Sequence, residues 1–281
     1  MKNYNKEIAV VTGAAGTLCS VIAEDLGKKG ARVALLDRNL ERIEQVAEKI
    51  RMAGGECKCY VCDVTDESSM QAVADQIRKE WGLCRYLING AGGNNIKAMT
   101  TNVYFEDVEL TANKPEDMRG FFDLQMEDFE RVLKLNTMGT VIPSKVFARH
   151  MTEAKKGSII NFASMNSYRP LTRVPAYAMS KAAVVNLTQW LATYFAKANI
   201  RVNAIAPGFF VNERSKVYLG TVEEGLTQRG KNVIGHTPAG RFGNPEDLLG
   251  TLHFLLGDDG ASFVTGITIP VDGGFLSHSG I

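Results

Sequence analysis

The chain has 281 residues, 45% of them hydrophobic and 22% charged, with a formal net charge of +1. That is ordinary globular composition, with no basic or acidic excess of the kind that marks a nucleic-acid or membrane-surface partner. No apolar run approaches the roughly 18 residues of a spanning helix. Of the five cysteines (Cys19, Cys57, Cys59, Cys62, Cys84) only Cys59 and Cys62 are at CxxC spacing, with no nearby histidine or second pair to finish a zinc site. Neither a disulfide framework nor a metal site is expected, and reduced thiols suit a cytoplasmic protein.

In chain order, the opening segment lacks the apolar stretch and cleavage site of a leader, and "EIAVVTG" reads as a buried first strand. A helix is predicted over 17–29, then a strand at "ARVALLD". Asn39 should cap an amphipathic helix, "LERIEQVAEKIRMA", stopped by Gly54 and Gly55. "ECKCYVCDV" is the third strand, and Asp66 opens a helix that runs to Trp81 with Gly82 as its stop. "CRYLING", "GSIINFAS", "IRVNAIAP" and "GITIPVDGG" supply four more strands, with helices in the gaps. Strands alternating with helices make βαβ units, whose right-handed crossovers put helices on both faces of a parallel sheet. The expected fold is therefore α/β: one doubly wound, Rossmann-type domain over 1–281, with about seven strands. The stretch 93–123 is long, polar and weakly periodic, and it is a lid candidate over the carboxyl edge of the sheet, where open α/β sheets bind ligands.

The turn after the first strand, "VVTGAAGTLCS", has the context of a phosphate-binding loop: it follows a strand and opens a helix. Asp37 follows Gly13 by 24 residues at the end of the next strand, where an acidic side chain holds the adenosine ribose. A carboxylate there repels a 2′-phosphate and favours NAD, while the adjacent Arg38 keeps NADP open. Thr17 and Cys19 stand where glycines are usual; free helix N–H groups still serve a pyrophosphate if no side chain blocks them.

The decisive stretch is "NFASMNSYRPLTRVPAYAMSK", 161–181. Tyr177 and Lys181 lie at i and i+4 on a predicted helix and share a face. Ser164 ends an apolar strand, at the same edge of the sheet. A free phenol titrates near 10, and a nearby ammonium should lower it toward neutral pH, so Tyr177 can exchange a proton with an alcohol or ketone. Ser164 can orient the reacting oxygen.

With these residues, the chain resembles the short-chain dehydrogenase/reductase family over nearly its whole length. "TGAAGTLC" is similar to its TGxxxGxG loop, apart from Thr17 and Cys19, and "NGAG" to its NNAG, with Gly90 in place of the second asparagine. "CDV", "LNTMG", "PGFF" and the Ser…YxxxK set resemble further family motifs. The resemblance implies Asn136, Ser164, Tyr177 and Lys181 as catalytic residues, Asn136 through a proton relay and Lys181 also through the cofactor ribose. It implies dinucleotide contacts from Gly13, Thr17, Leu18, Asp37, Arg38, Asp63, Val64, Asn89, Ala91, Gly92, Tyr177, Lys181, Pro207, Gly208 and Phe210. It also implies a homotetramer built on helices around 126–151 and 175–197.

The insertion and "HTPAGRFGNPEDLLGTLHFLL" resemble the subgroup of D-mannonate oxidoreductases, or fructuronate reductases. The implied reaction is D-mannonate plus NAD⁺ giving D-fructuronate plus NADH. For an acidic sugar, Asn94, Asn95 and Asn166 offer donors and acceptors to hydroxyls, and Arg169 or Arg173 could hold a carboxylate. Asn94, Asn166 and Arg169 are the leading substrate candidates, with Lys97, Arg214 and His236 more remote. The competing readings are a gluconate 5-dehydrogenase type of enzyme, a 3-oxoacyl carrier-protein reductase, and a nucleotide-sensing protein without turnover.

Overall fold

The apolar runs at the centre of the sequence pattern become strands buried on both faces. The computed structural model describes residues 3–221 and 225–279, except for the side chains of Glu213 and Arg214. Strands β1 (Ile8–Thr12), β2 (Arg32–Asp37), β3 (Glu56–Val61), β4 (Tyr86–Asn89), β5 (Gly157–Phe162), β6 (Ile200–Pro207) and β7 (Thr268–Val271) form one parallel sheet in the order β3-β2-β1-β4-β5-β6-β7. The order reverses between β1 and β4, which opens a crevice at their carboxyl ends. β1, β4 and β5 are buried at every position, as internal parallel strands must be, whereas the edge strand β3 alternates.

Helices α1 (Thr17–Lys28), α2 (Leu40–Met52), α3 (Glu67–Glu80), α4 (Met126–Ala154) and α5 (Pro175–Phe195) supply the main crossovers. Beyond β6 come α6 (Glu213–Leu219), α7 (Gln228–Gly235), α8 (Leu249–Leu256) and the short α9 (Asp258–Ala261). Two cores result. Ile22, Leu26, Ile43, Ile50 and Leu252 pack α1, α2 and α8 on one face, while Met70, Ile77, Phe147 and Leu191 pack α3, α4 and α5 on the other. Asn39 caps α2 by accepting from Arg42 N at 3.0 Å, and Asp66 caps α3 through Ser68 N at 2.9 Å. Among the described residues no helix is long and apolar enough to cross a membrane.

The 93–123 stretch folds into three short 3₁₀ turns, Ile96–Ala98, Asp107–Leu110 and Phe121–Asp123. Thr101 and Arg119 lace it together: Thr101 N donates to Arg119 O, and Arg119 N to Thr101 Oγ1, both at 2.8 Å. Thr100 N donates to Arg173 O at 3.0 Å, so the stretch is tied to the loop that leads into α5.

Candidate active site

The cradle begins where β1 and β4 come closest. Gly13 has φ +65°, and a Cβ there would lie 2.8 Å from the Ala91 Cα, so only glycine fits this turn. Thr12 fastens the two strands: its Oγ1 accepts from Gly90 N at 3.1 Å and Ala91 N at 3.2 Å. Gly16 precedes α1 and supplies no side-chain cap, leaving the first-turn amides at Thr17 and Leu18 toward the crevice. Asp37 is held by three amides: Ala15 N at 3.3 Å on one oxygen, and Arg38 N at 2.8 Å and Asn39 N at 3.2 Å on the other. Arg38 is exposed, 3.9 Å from Asp63 Oδ2. Burial would raise the Asp63 carboxyl, but the Thr65 amide and hydroxyl outweigh it and hold it low. Val64 is buried and packs under Gly139. An uncapped helix N-terminus, a fixed carboxylate one strand away and a glycine turn between them fit a dinucleotide.

The structure brings Ser164, Tyr177 and Lys181 together at the ends of β5 and α5. Pro175 starts α5, so Tyr177 sits in its first turn and Lys181 one turn further. Ser164 is buried; its hydroxyl accepts from Asn166 N at 3.2 Å and hydrogen-bonds Tyr177. Lys181 Nζ lies 5.7 Å from the Tyr177 ring centroid and donates to Phe162 O at 2.6 Å. Burial pushes the Lys181 ammonium down to about 8. The Tyr177 hydroxyl moves opposite to the expected direction: burial pushes it up, opposed by the Ser164 hydrogen bond. The reason is geometric, since the ammonium stands beside the ring and is turned to the Phe162 carbonyl.

Other expected residues lie close by with their side chains already committed. Asn136 clamps Gly93 from both sides, accepting from its N–H at 3.0 Å and donating to its carbonyl at 2.8 Å. A Cβ on Gly92 would meet Asn136 Oδ1 at 2.6 Å and Lys181 Nζ at 3.4 Å, so the asparagine borders the catalytic cluster through that glycine. The Asn89 side chain turns inward, donating to Ser144 Oγ and Asn161 Oδ1, both at 2.8 Å, which leaves its backbone for any ligand. After β6, Gly208 passes so near Asp272 that a Cβ would lie 2.6 Å from its Cα. Phe210 is buried, and a Cβ on Gly243 would lie 2.6 Å from its ring.

The sequence profile of the short chain dehydrogenase family matches residues 7–218. The chain belongs to this family. It is thereby an NAD(P)-dependent oxidoreductase acting on alcohols. An uncharacterized oxidoreductase of Haemophilus influenzae is 44% identical over 279 residues, covering 99% of this chain and 96% of its own. A crystal structure from Haemophilus influenza, provisionally assigned as a D-mannonate oxidoreductase and holding NAD, superposes with a TM-score of 0.93. It is 43% identical and covers 100% of this chain and 98% of its own. The 5-keto-D-gluconate 5-reductase of Escherichia coli is 31% identical, covering 95% of this chain and 94% of its own.

The departures from the family motifs explain one another. A Cβ built on Gly90 would overlap the Cys19 sulfur, so the thiol fills the space that a side chain at position 90 would take. The substrate candidates separate. Asn166 is buried beside Ser164 but accepts from Leu171 N at 2.8 Å, and Asn95 is spent on Asp128 at 2.7 Å and on capping a turn. Asn94 is exposed, with its carbonyl on Asn95 N at 2.9 Å. Arg169 is exposed and donates to His278 O at 3.0 Å, and Lys97 is exposed. His236 lies on Asn232 O at 2.7 Å, and the Arg214 side chain lies outside the described residues. Thr12, the first residue of the TGAAGTLC loop but not among the expected contacts, ties the end of β1 to Gly90 and Ala91.

Proposed function

We propose that the protein is an NAD(H)-dependent oxidoreductase of a sugar acid, interconverting D-mannonate and D-fructuronate. The observation that carries the reading is the Ser164–Tyr177–Lys181 cluster, with Ser164 and Lys181 buried and Tyr177 partly buried, together with the uncapped start of α1. The likeness to the NAD-bound D-mannonate oxidoreductase supports the substrate. Bound NADH supplies the hydride for the ketone carbon. Tyr177 gives the proton to the ketone oxygen, Ser164 orients that oxygen, and Lys181 holds the cofactor ribose. Asn136 fixes Gly93 beside them and takes part in the proton relay. Asp37, held rigid by three amides, favours NAD over NADP by repelling a 2′-phosphate. A phenol held above its ordinary value is protonated at neutral pH, which suits ketone reduction; oxidation of the alcohol requires its loss and so gains from higher pH. The protein works in the cytoplasm as a homotetramer in this reading, consistent with its five free thiols.

The test is NADH and NADPH oxidation, followed by absorbance, with D-fructuronate, 5-keto-D-gluconate and an acetoacetyl thioester. Fast NADH turnover with D-fructuronate is expected. Preference for 5-keto-D-gluconate would move the substrate toward the Escherichia coli relative, and preference for the thioester would remove the sugar acid altogether. Tyr177→Phe should lower turnover roughly a hundredfold to ten-thousandfold and leave NADH binding intact. Normal turnover in that variant would overturn the proton-transfer role.

A further inference from the structure

Arg173 stands four residues before Tyr177, at φ +74°, a left-handed conformation that costs a non-glycine residue on the order of 1 kcal/mol and that clusters at functional sites. Its carbonyl is fixed by Thr100 N, and its Nε is buried without any hydrogen-bond partner. A buried guanidinium donor left unmade is costly and asks for a partner, water or ligand. Arg85 also has buried unpartnered nitrogens, but it has Glu7 and Asp258 beside it, and Arg173 has no carboxylate. Its neighbour is a second cation, Arg229, half-buried in the first turn of α7. Burial holds the Arg229 guanidinium below its ordinary range, and the charge of Arg173 adds to this. Arg32, Arg78, Arg85, Arg131 and Arg241 each pair with a carboxylate. Among the described residues, Arg173 and Arg229 have no carboxylate partner, a lack they share with Arg42, Arg119 and Arg169, which donate to backbone carbonyls instead, and with Arg149. The loop carrying Arg173 and the helix carrying Arg229 converge on the same C-terminal stretch. Arg169 of that loop bonds His278 O at 3.0 Å, and the His236 ring, just past α7, lies 5.5 Å from the His278 ring.

We infer that Arg173 and Arg229 form a clamp for the substrate carboxylate, with the buried Nε of Arg173 as one of its donors. The inference rests on the sugar-acid reading and assigns its charge recognition to these two residues, since Arg169 is exposed and engaged with the chain terminus. Two guanidinium groups that feel each other's charge are unfavourable alone and complementary to one carboxylate.

The experiment compares the full-length wild type with Arg173→Met, Arg173→Gly and Arg229→Met on matched pairs of acid and neutral ketose. The pairs are D-fructuronate with D-fructose, and 5-keto-D-gluconate with L-sorbose. Arg173→Gly removes the guanidinium while suiting φ +74°, so its loss of activity is not a failure to fold. Each variant should raise KM for the acid by about tenfold to a hundredfold, as expected for a lost charged hydrogen bond. The change in kcat should be smaller, the loss on the neutral partner much smaller, and NADH affinity should stay. If the wild type prefers 5-keto-D-gluconate and the variants lose that preference, the clamp stands and the D-fructuronate reading falls. If the wild type turns over D-fructuronate and the variants keep its KM, the clamp is overturned and the reading stands. Equal losses on acid and neutral ketose would also overturn it.

Discussion

Cys19 and Gly90 occupy one space between α1 and the end of β4. Burial pushes the Cys19 thiol up to about 12, so it acts as a small apolar residue and not as a nucleophile. Gly90→Asn on its own drives a side chain into the sulfur, an overpacking that typically costs about 1–3 kcal/mol. Cys19→Gly on its own leaves a void and places a glycine inside a helix, at about 1 kcal/mol for the glycine alone. The double variant relieves the clash by filling the void, so its destabilisation should be smaller than the two single effects added. Urea unfolding of the four proteins checks this, and simple additivity would mean that the two positions are independent. Each departure was visible in the sequence, but their compensation was not, because it lies in contact across 71 positions of chain.

At the level of elements, a row of buried polar side chains joins β4 and β5 to α4 and α5, the two helices that carry Asn136, Tyr177 and Lys181. Asn89 of β4 donates to Ser144 of α4 and to Asn161 of β5, and Asn161 donates to Thr188 of α5 at 2.9 Å. Asn161→Ala removes the acceptor of one buried donor and the donor to Thr188, at about 1–3 kcal/mol. A lower urea midpoint with an unchanged slope is expected; an unchanged midpoint would show that the row adds nothing to stability. The elements themselves were largely legible in the sequence: buried runs and caps such as Asn39 and Asp66 depend on neighbours in the chain. The three turns inside 93–123 were not, because Thr101–Arg119 and Thr100–Arg173 bonds define them and no periodicity records such pairs. The same holds for Asn136, Asn95 and Asn166, whose residue type was readable but whose bonding partners were not. Arg229 carried no signal in the sequence, since its meaning comes only from the charge of Arg173 acting on it across the fold.

Across the whole molecule, α5 has one task on each side. Its inner face packs Val184, Thr188, Leu191 and Ala192 inside the protein, and its first turns hold Tyr177 and Lys181. The outer face is uncharged along its length, running through Met179, Ala182, Ala183, Asn186, Trp190 and Tyr194. Trp190 and Tyr194 are 58% and 65% exposed and stack with ring centroids 4.9 Å apart, an aromatic patch of the kind that marks protein contact. In the homotetrameric reading, this face meets a second copy. The double variant Trp190→Glu, Tyr194→Glu places like charges on both sides of such a contact. Light scattering should then show a smaller assembly than the wild type, and an unchanged mass would remove this face from the interface. Because the same helix sets Tyr177 one turn from Lys181, the dissociated protein should also lose turnover more than NADH affinity. Loss of both together would mean that the helix had come apart rather than the assembly.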